Sequence, residues 1–396
     1  MIIKPRTRGF ICTTAHPGGC AQHVEQQMKY VQSQPAFQGP RNALIIGAST
    51  GYGLASRIVA AFGAQANTIG VYRASEATDK RTASAGWYNS AAFEQLAGES
   101  GLHSYSVTGD AFTEETKERT VSLIKEKIGK IDLVIYSVAT ARRVDSVSGE
   151  LAQSVLKPIG QAYTNKTVNF HTGEVSEITI EPATEDEIIQ TTAVMGGDDW
   201  ERWMNALKDA DVLTDRVKTV AFSYIGPELT TAIYREGTIG RAKDHLEATA
   251  HQMNEQWGEG VEAYVTVAKA LVTQSSSAIP VVPLYISLLY KIMKDKGLHE
   301  DCIEQAYRMF ANFLYHPDGV SVDEAGRIRI DDWEMREDVQ AAVSEAWPEI
   351  ATETMEEYTD LAGYRQAFFQ LFGFEWDGVD YEQDIDPRVE IYLPKD

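Results

Sequence analysis

One segment limits what this chain can fold into more than any other: ALIIGASTGYGLASRI, which begins just after Asn42. A short, uninterrupted apolar run is the pattern of a strand covered on both faces, as in a parallel sheet. This run ends at Gly47 and passes through Gly47-Ala48-Ser49-Thr50-Gly51-Tyr52-Gly53 into LASRIVAAFG, a helical pattern. The spacing is G-x-x-x-G-x-G. Gly47 allows the tight turn, Gly51 lets backbone N–H groups approach a pyrophosphate, and Gly53 lets helix and strand pack closely. The helix N-terminus adds partial positive charge. Gly47, Ser49, Thr50, Gly51, Tyr52 and Gly53 are therefore candidate residues for cradling a dinucleotide.

The pattern repeats downstream. TIGVY, HSYSVTGDA and IDLVIYSVA read as strands, AAFEQLAGES as a helix ending near Gly101, and ETKERTVSLIKEKIG as a helix stopping at Gly129. Strands alternating with helices at this spacing predict a parallel, doubly wound α/β sheet with helices on both faces. Residues 42–140 form its glycine-loop half. Residues 142–190 are rich in Thr, Ser, Glu and Asn, with hints of short strands (YTNKTVNF, EVSEITI), and read as a hairpin-like insertion. The α/β pattern resumes over 215–300, with the strand KTVAFSYIG, a helix near 240–257 and VEAYVTVAKALVT. Before residue 40 there is an extended opening with an amphipathic stretch near 24–31. The C-terminal third is helical and polar. No Pro/Gly/Ser linker separates two bodies, so 1–396 is expected to be one domain.

Composition bounds the partners. The formal net charge is −22, with 58 acidic against 36 basic residues. Such a surface repels phosphate backbones and anionic lipid, which excludes nucleic acid and membrane surfaces as natural partners. The longest apolar stretch, 278–293, is interrupted by Pro280 and Pro283 and closed by Lys291. It is too short and broken for a membrane span and reads as a buried helix or pocket wall. MIIKPRTRGF carries no apolar run of the signal-peptide kind. Cys12, Cys20 and Cys302 form no C-x-x-C, and reduced thiols of a cytoplasmic protein are expected. Cys12 and Cys20 with His16 and His23 could form a metal set, but no second C-x-x-C or H-x-x-x-H follows, and packing is the better reading.

Further candidates sit at the carboxyl ends of successive strands, where this fold class binds ligands. Asp110-Ala111 follows the third strand, where a carboxylate could take an adenine amine. Ser137-Val138-Ala139 closes the fourth, where backbone would meet a ribose. The second strand ends in Tyr72-Arg73-Ala74, where a site for NAD usually places an acid. Arg73 is suited instead to a 2′-phosphate. A Tyr-x8-Lys pair, Tyr234 and Lys243, has Gly237 and Gly240 between its members, so Tyr234 can stand in the turn before the helix that carries Lys243. Thr238 is the expected N-cap. Tyr285 and Lys294 match the same spacing inside an apolar stretch, where core packing is expected.

Taken together, many long blocks resemble the FabV-type enoyl-ACP reductases and trans-2-enoyl-CoA reductases, a large branch near the short-chain dehydrogenases. They are RGFICTTAHPGGC, LIIGASTGYGLASRI, GWYNSAAFE, GDAF, DLVIYSVA, VMGGDDWERW, SYIGPE, GTIGRAK, ALVTQSSSAIPVVPLY, HEDCIEQ, RIRIDDWE and DLAGYRQAFFQLFGF. The likeness covers essentially the whole chain. It implies a Rossmann-type, monomeric, cytoplasmic enzyme of fatty-acid synthesis that uses NADH to saturate the trans-2 double bond of a 2-enoyl-CoA or 2-enoyl-ACP. An acyl carrier protein would then be a partner, with Arg142-Arg143 and Lys291, Lys294 and Lys296 as candidate positive points for it. By the same likeness Tyr234 stabilises and protonates the enolate, Lys243 holds the cofactor, and Tyr224 lies close to the thioester. Leu271 and Thr273 border the nicotinamide. Ile279 and Pro280 belong to the acyl-pocket wall over 278–290. Relatives commonly carry Phe-Glu where this chain has Arg73-Ala74, so acceptance of NADPH is expected here.

Two other functions share some of these signals. A carbonyl or alcohol short-chain dehydrogenase would share the glycine loop, but its usual Tyr-x3-Lys is missing. A non-catalytic NAD(P)-binding sensor would keep the loop and lose the proton donor, whereas Tyr234, Tyr224 and Lys243 are all present.

Overall fold

The computed structural model describes residues 1–9 and 11–391. Phe10, within the N-terminal block quoted above, lies outside them. Seven strands form one sheet: β1 (Asn42–Ile46), β2 (Asn67–Tyr72), β3 (Ser104–Thr108), β4 (Ile131–Tyr136), β5 (Leu213–Ser223), β6 (Val261–Val267) and β7 (Arg327–Arg329). Their order is β7-β6-β5-β4-β1-β2-β3, and every pairing is parallel. The order reverses beside β1, which opens a crevice at its carboxyl end.

The continuous apolar strands follow from burial on both faces. In β1, Ala43 and Ile45 join one core while Leu44 and Ile46 join the other; in β4, Leu133 and Ile135 separate in the same way from Val134 and Tyr136. The helices α1 (Pro17–Ser33), α2 (Gly51–Ile58) and α3 (Ala85–Glu99) cover the first face. The helices α4 (Glu114–Lys127), α6 (Asp198–Asp209) and α7 (Thr238–Trp257) cover the second, α6 following α5 (Glu185–Met195). Trp200, Trp203, Met204 and Leu207 recur at the i, i+3, i+4, i+7 spacing of α6, and all four are fully buried.

Gly70 interrupts the apolar β2 for a packing reason. The Arg57 guanidinium lies across the strand, and a Cβ at Gly70 would come within 2.5 Å of it. Arg57 is wholly buried. It donates to the Ser104, Ser106 and Thr68 hydroxyls and the Tyr105 carbonyl, lies 3.6 Å from Glu94, and stacks 4.3 Å over the Phe93 ring.

The 142–190 region stands apart from the sheet and holds two antiparallel hairpins, Arg142–Val144 with Leu151–Gln153 and Tyr163–Asn169 with Glu174–Ile180, before α5 begins. The apolar stretch becomes helix α8 (Val282–Asp295), which lies in a third core with the C-terminal helix Leu361–Gln370 and the second hairpin. No helix among the described residues is long and apolar enough to cross a membrane. His16 caps α1, its ring Nδ1 accepting the Gly19 N–H, and no group of three or more potential metal ligands occurs among the described residues.

Thr238 is not the N-cap the sequence suggested. Gly237 holds that place, and Thr238 opens the helix with its hydroxyl turned to the insertion, donating to the Val155 carbonyl at 2.5 Å and accepting from the Lys157 N–H at 3.2 Å. Those bonds fix the start of α7 to the insertion rather than to its own first turn.

Candidate active site

The crevice at the carboxyl ends of β1, β4, β5 and β6 opens into a cavity of about 360 Å³. Gly47 makes the turn at its floor with φ +89°, and a Cβ there would sit 1.9 Å from the Ser137 carbonyl oxygen. A Cβ at Gly53 would lie 2.0 Å from the Gly47 carbonyl, so the start of α2 touches the loop backbone directly. Gly51 differs. Its φ is +54°, and a Cβ there would meet nothing nearer than Thr273 at 3.9 Å. Two of the three glycines serve close packing, and Gly51 faces open space at the helix N-terminus, as a phosphate cradle requires.

The cavity brings together most of the residues singled out by sequence. Gly47, Thr50, Gly51 and Tyr52 line it from the loop, Ser137, Val138 and Ala139 from the end of β4, and Leu271 and Thr273 from the segment after β6. Tyr224, Tyr234, Lys243 and Ile279 line its other side. Tyr52 stacks on Phe222 with ring centroids 4.8 Å apart, and its hydroxyl donates to the Lys269 carbonyl at 3.3 Å. Thr273 is pinned by Ser276, whose Oγ accepts from both the Thr273 N–H and its hydroxyl.

Other candidates lie elsewhere. Gly53 is sealed beneath the loop. Ser49 and Arg73 line a second hollow beside the first, while Pro280 faces a third against the hairpin over 163–180. Pro280 thus stands next to Ile279, which lines both this third hollow and the main cavity. Ala74 packs against the core on the α2 side of the sheet. Asp110 accepts the Phe112 N–H and stands 3.9 Å from Arg73, and the Ala111 carbonyl is taken up by Lys117 and Trp203.

The two tyrosines behave differently. Their rings meet edge to face at 4.8 Å. The Tyr224 hydroxyl donates to Glu334 Oε1 at 3.1 Å, so its proton points away from the cavity. The Tyr234 hydroxyl has no hydrogen-bond partner among the described residues, although the side chain is nearly buried. Burial pushes its pKa well above the usual range, with the Glu334 charge adding to the effect. The phenol therefore stays protonated and able to donate. Lys243 Nζ donates to the Phe222 carbonyl at 2.9 Å, and burial lowers its pKa to about 8, partly offset by Glu247.

Glu334 was not visible as a site residue in the sequence. It is fully buried and accepts from Tyr285 at 2.6 Å, from the Ala270 N–H at 2.7 Å and from Tyr224. Tyr285, expected to be a core residue, is thereby tied to the site. The candidate positive points are largely neutralised. Arg143 is buried against Asp198, Asp145 and the Phe112 ring, and Lys291, Lys294 and Lys296 pair with Asp295, Asp360 and Asp338. Only Arg142 of that set is exposed and without an ion pair among the described residues.

A glycine loop at the sheet's reversal point, with a tyrosine hydroxyl and a lysine facing the same cavity, defines the class: a Rossmann-type oxidoreductase working with a nicotinamide dinucleotide. Residues 81–315 match the family model described as the trans-2-enoyl-CoA reductase catalytic region, residues 2–79 the NAD(P)H binding domain of trans-2-enoyl-CoA reductase, and residues 322–385 an enoyl reductase FAD binding domain. The enoyl-[acyl-carrier-protein] reductase [NADH] of Flavobacterium johnsoniae is 59% identical over 392 residues, 99% of each chain. The trans-2-enoyl-CoA reductase [NADH] of Ruminiclostridium cellulolyticum is 56% identical over 392 residues, again 99% of each. The crystal structure of Treponema denticola trans-2-enoyl-CoA reductase in complex with NAD superposes with a TM-score of 0.94 at 47% identity, covering 100% of both chains. This chain belongs to the trans-2-enoyl-CoA reductase family, of which the FabV-type enoyl-ACP reductases are part.

The flavin named for 322–385 does not fit these residues. The segment offers no strand–glycine-loop–helix of its own among the described residues. Its strand β7 has three residues and runs into Ile330-Asp331-Asp332-Trp333-Glu334, where a pyrophosphate would meet three carboxylates.

Proposed function

We propose that this protein reduces the trans-2 double bond of 2-enoyl thioesters to the saturated acyl thioester, with NADH as the reductant. The observation that carries this reading is the unpartnered Tyr234 hydroxyl in a largely apolar cavity shared with the glycine loop. NADH, when bound, would supply a hydride to C3 of the enoyl group. Negative charge then develops on the thioester oxygen. Tyr234, held protonated by burial, donates a hydrogen bond to that oxygen where the low-dielectric surroundings make it strong. Lys243, fixed by the Phe222 carbonyl, lines the same cavity, where it would hold the cofactor and add a positive charge that favours the anion. The enolate left behind takes a proton, with Tyr234 as its donor, to become the saturated thioester. Tyr224 packs against the Tyr234 ring and holds it in place. Ile239, Ile279, Val282 and Ile286 offer an apolar wall for the acyl chain. CoA or an acyl carrier protein as carrier, a monomeric state, a cytoplasmic location and a single folding unit over 1–396 belong to the same reading. They are supported by likeness to the relatives and by ties from one end of the chain to the other, such as Trp87 Nε1 to the Val389 carbonyl.

The test is oxidation of NADH at 340 nm with crotonyl-CoA, comparing wild type with Tyr234→Phe. Turnover should fall by roughly 10²–10⁴-fold, the range for loss of a positioned proton donor, with NADH binding retained. Absence of enoyl-dependent oxidation in the wild type, or full activity in the variant, overturns the reading.

A further inference from the structure

The second hollow lies at the carboxyl end of β2 and shares Thr50 and Gln274 with the main cavity. Arg73 and Arg81 line it with Ser49, Ser75 and Ser84. No Asp or Glu lines it among the described residues, in a chain with 58 acids against 36 bases. Its two arginines are available. Arg73 is 85% exposed and reaches Asp110 only at 3.9 Å, and Arg81 has no ion pair among the described residues. The acids of the surrounding loop are turned elsewhere. Asp79 pairs with Arg388, and Glu76 is exposed outside the lining.

The loop that presents the arginines is braced. Ser84 N–H donates to the Ser75 carbonyl at 2.9 Å, Ser75 N–H to the Ser84 hydroxyl at 3.1 Å, and Thr78 N–H to the Arg81 carbonyl at 2.8 Å. The loop thus folds back and returns Arg81 to the same hollow as Arg73. In a dinucleotide fold of this topology, the end of the second strand meets the 2′ position of the adenosine ribose. An acid there selects the free hydroxyl, and guanidinium groups suit a phosphate, which they bind through several charge-assisted hydrogen bonds.

We propose that Arg73 and Arg81 form a site for the 2′-phosphate of NADPH, so that this protein accepts the phosphorylated cofactor as well as NADH. The proposal rests on the reading above that the cavity holds a nicotinamide dinucleotide.

Calorimetry of 2′,5′-ADP against 5′-ADP tests the site without turnover. The wild type should bind 2′,5′-ADP at least tenfold more tightly, about the worth of one charge-assisted hydrogen bond. Arg73→Ala and Arg81→Ala should each shrink that ratio severalfold. In steady-state assays with crotonyl-CoA, the NADPH-to-NADH ratio of kcat/KM should fall in step. Equal affinity for the two nucleotides in the wild type, or an unchanged ratio in both variants, overturns the proposal. Discrimination between the nucleotides without any enoyl-dependent oxidation supports the site and sinks the reductase reading instead.

Discussion

Glu334→Gln tests whether a buried carboxylate holds the cavity in shape. Glu334 accepts three hydrogen bonds inside the protein, from Tyr224, Tyr285 and the Ala270 N–H. Glutamine keeps one oxygen, so it can serve either the two phenols or the amide, but its NH₂ then faces a donor on the other side. One buried donor left without an acceptor costs about 1–3 kcal/mol. At the per-residue unfolding entropy of globular proteins, that lowers Tm by roughly 1–4 °C for a chain this long. Alanine would strand all three donors, at roughly 3–9 kcal/mol, a large part of the total stability of a typical domain, which is why glutamine is the better probe. The catalytic consequence follows from Tyr224. Where the glutamine oxygen turns to the Ala270 amide, Tyr224 loses its acceptor, and the ring that packs against Tyr234 is free to turn. The assay is a double-mutant cycle on kcat/KM with Glu334→Gln, Tyr224→Phe and the pair. The two changes should be strongly non-additive, with a coupling of about 1–3 kcal/mol, and the loss should appear in kcat more than in KM. Additive effects, or wild-type kcat and Tm in Glu334→Gln, would refute the positioning argument.

Two other outcomes follow from buried charges. Lys243 has its pKa lowered to about 8 by burial. Its positive charge is present below that pH and lost as pH rises through it, so the kcat/KM profile should fall on the alkaline side near pH 8. Lys243→Arg, whose guanidinium stays charged, should move that limb upward; a limb unmoved by this change belongs to another group. Arg57→Met should destabilise the fold by about 3–5 kcal/mol by leaving Glu94 buried without its partner, read as a shift in denaturation midpoint. A shift under about 1 kcal/mol would mean that Glu94, whose pKa burial has already raised to about 6, takes up a proton with little loss.

The sequence made legible what depends on neighbours along the chain. The glycine loop, the continuous apolar strands and the insertion all announce themselves locally, and the sheet has the predicted parallel form. Tyr234 and Lys243 could be chosen over Tyr285 and Lys294 because glycines separate the first pair, and the structure puts Tyr234 and Lys243 in one cavity. Helix α6 had a readable signal in Trp200, Trp203, Met204 and Leu207, but the charged residues beside them, Asp198, Asp199, Glu201 and Arg202, masked it. Glu334 offered none. It is one of 58 acids, and its partners Tyr224, Ala270 and Tyr285 lie far from it in sequence. Arg143 misled for the same reason, since Asp198, which neutralises it, arrives from helix α6, far along the chain.

The place of β7 bears on how the protein is made. The Tyr–Lys pair leaves the ribosome well before Arg327–Arg329 can join β6 as the edge strand. Until then β6 is an open edge, ready to pair with another chain, and Tyr224 has no acceptor because Glu334 follows directly behind that strand. Sealing the sheet and finishing the catalytic cavity are thus one late event of synthesis. A chain cut short before residue 327 would carry every residue of the Tyr–Lys pair and yet be both inactive and prone to aggregate.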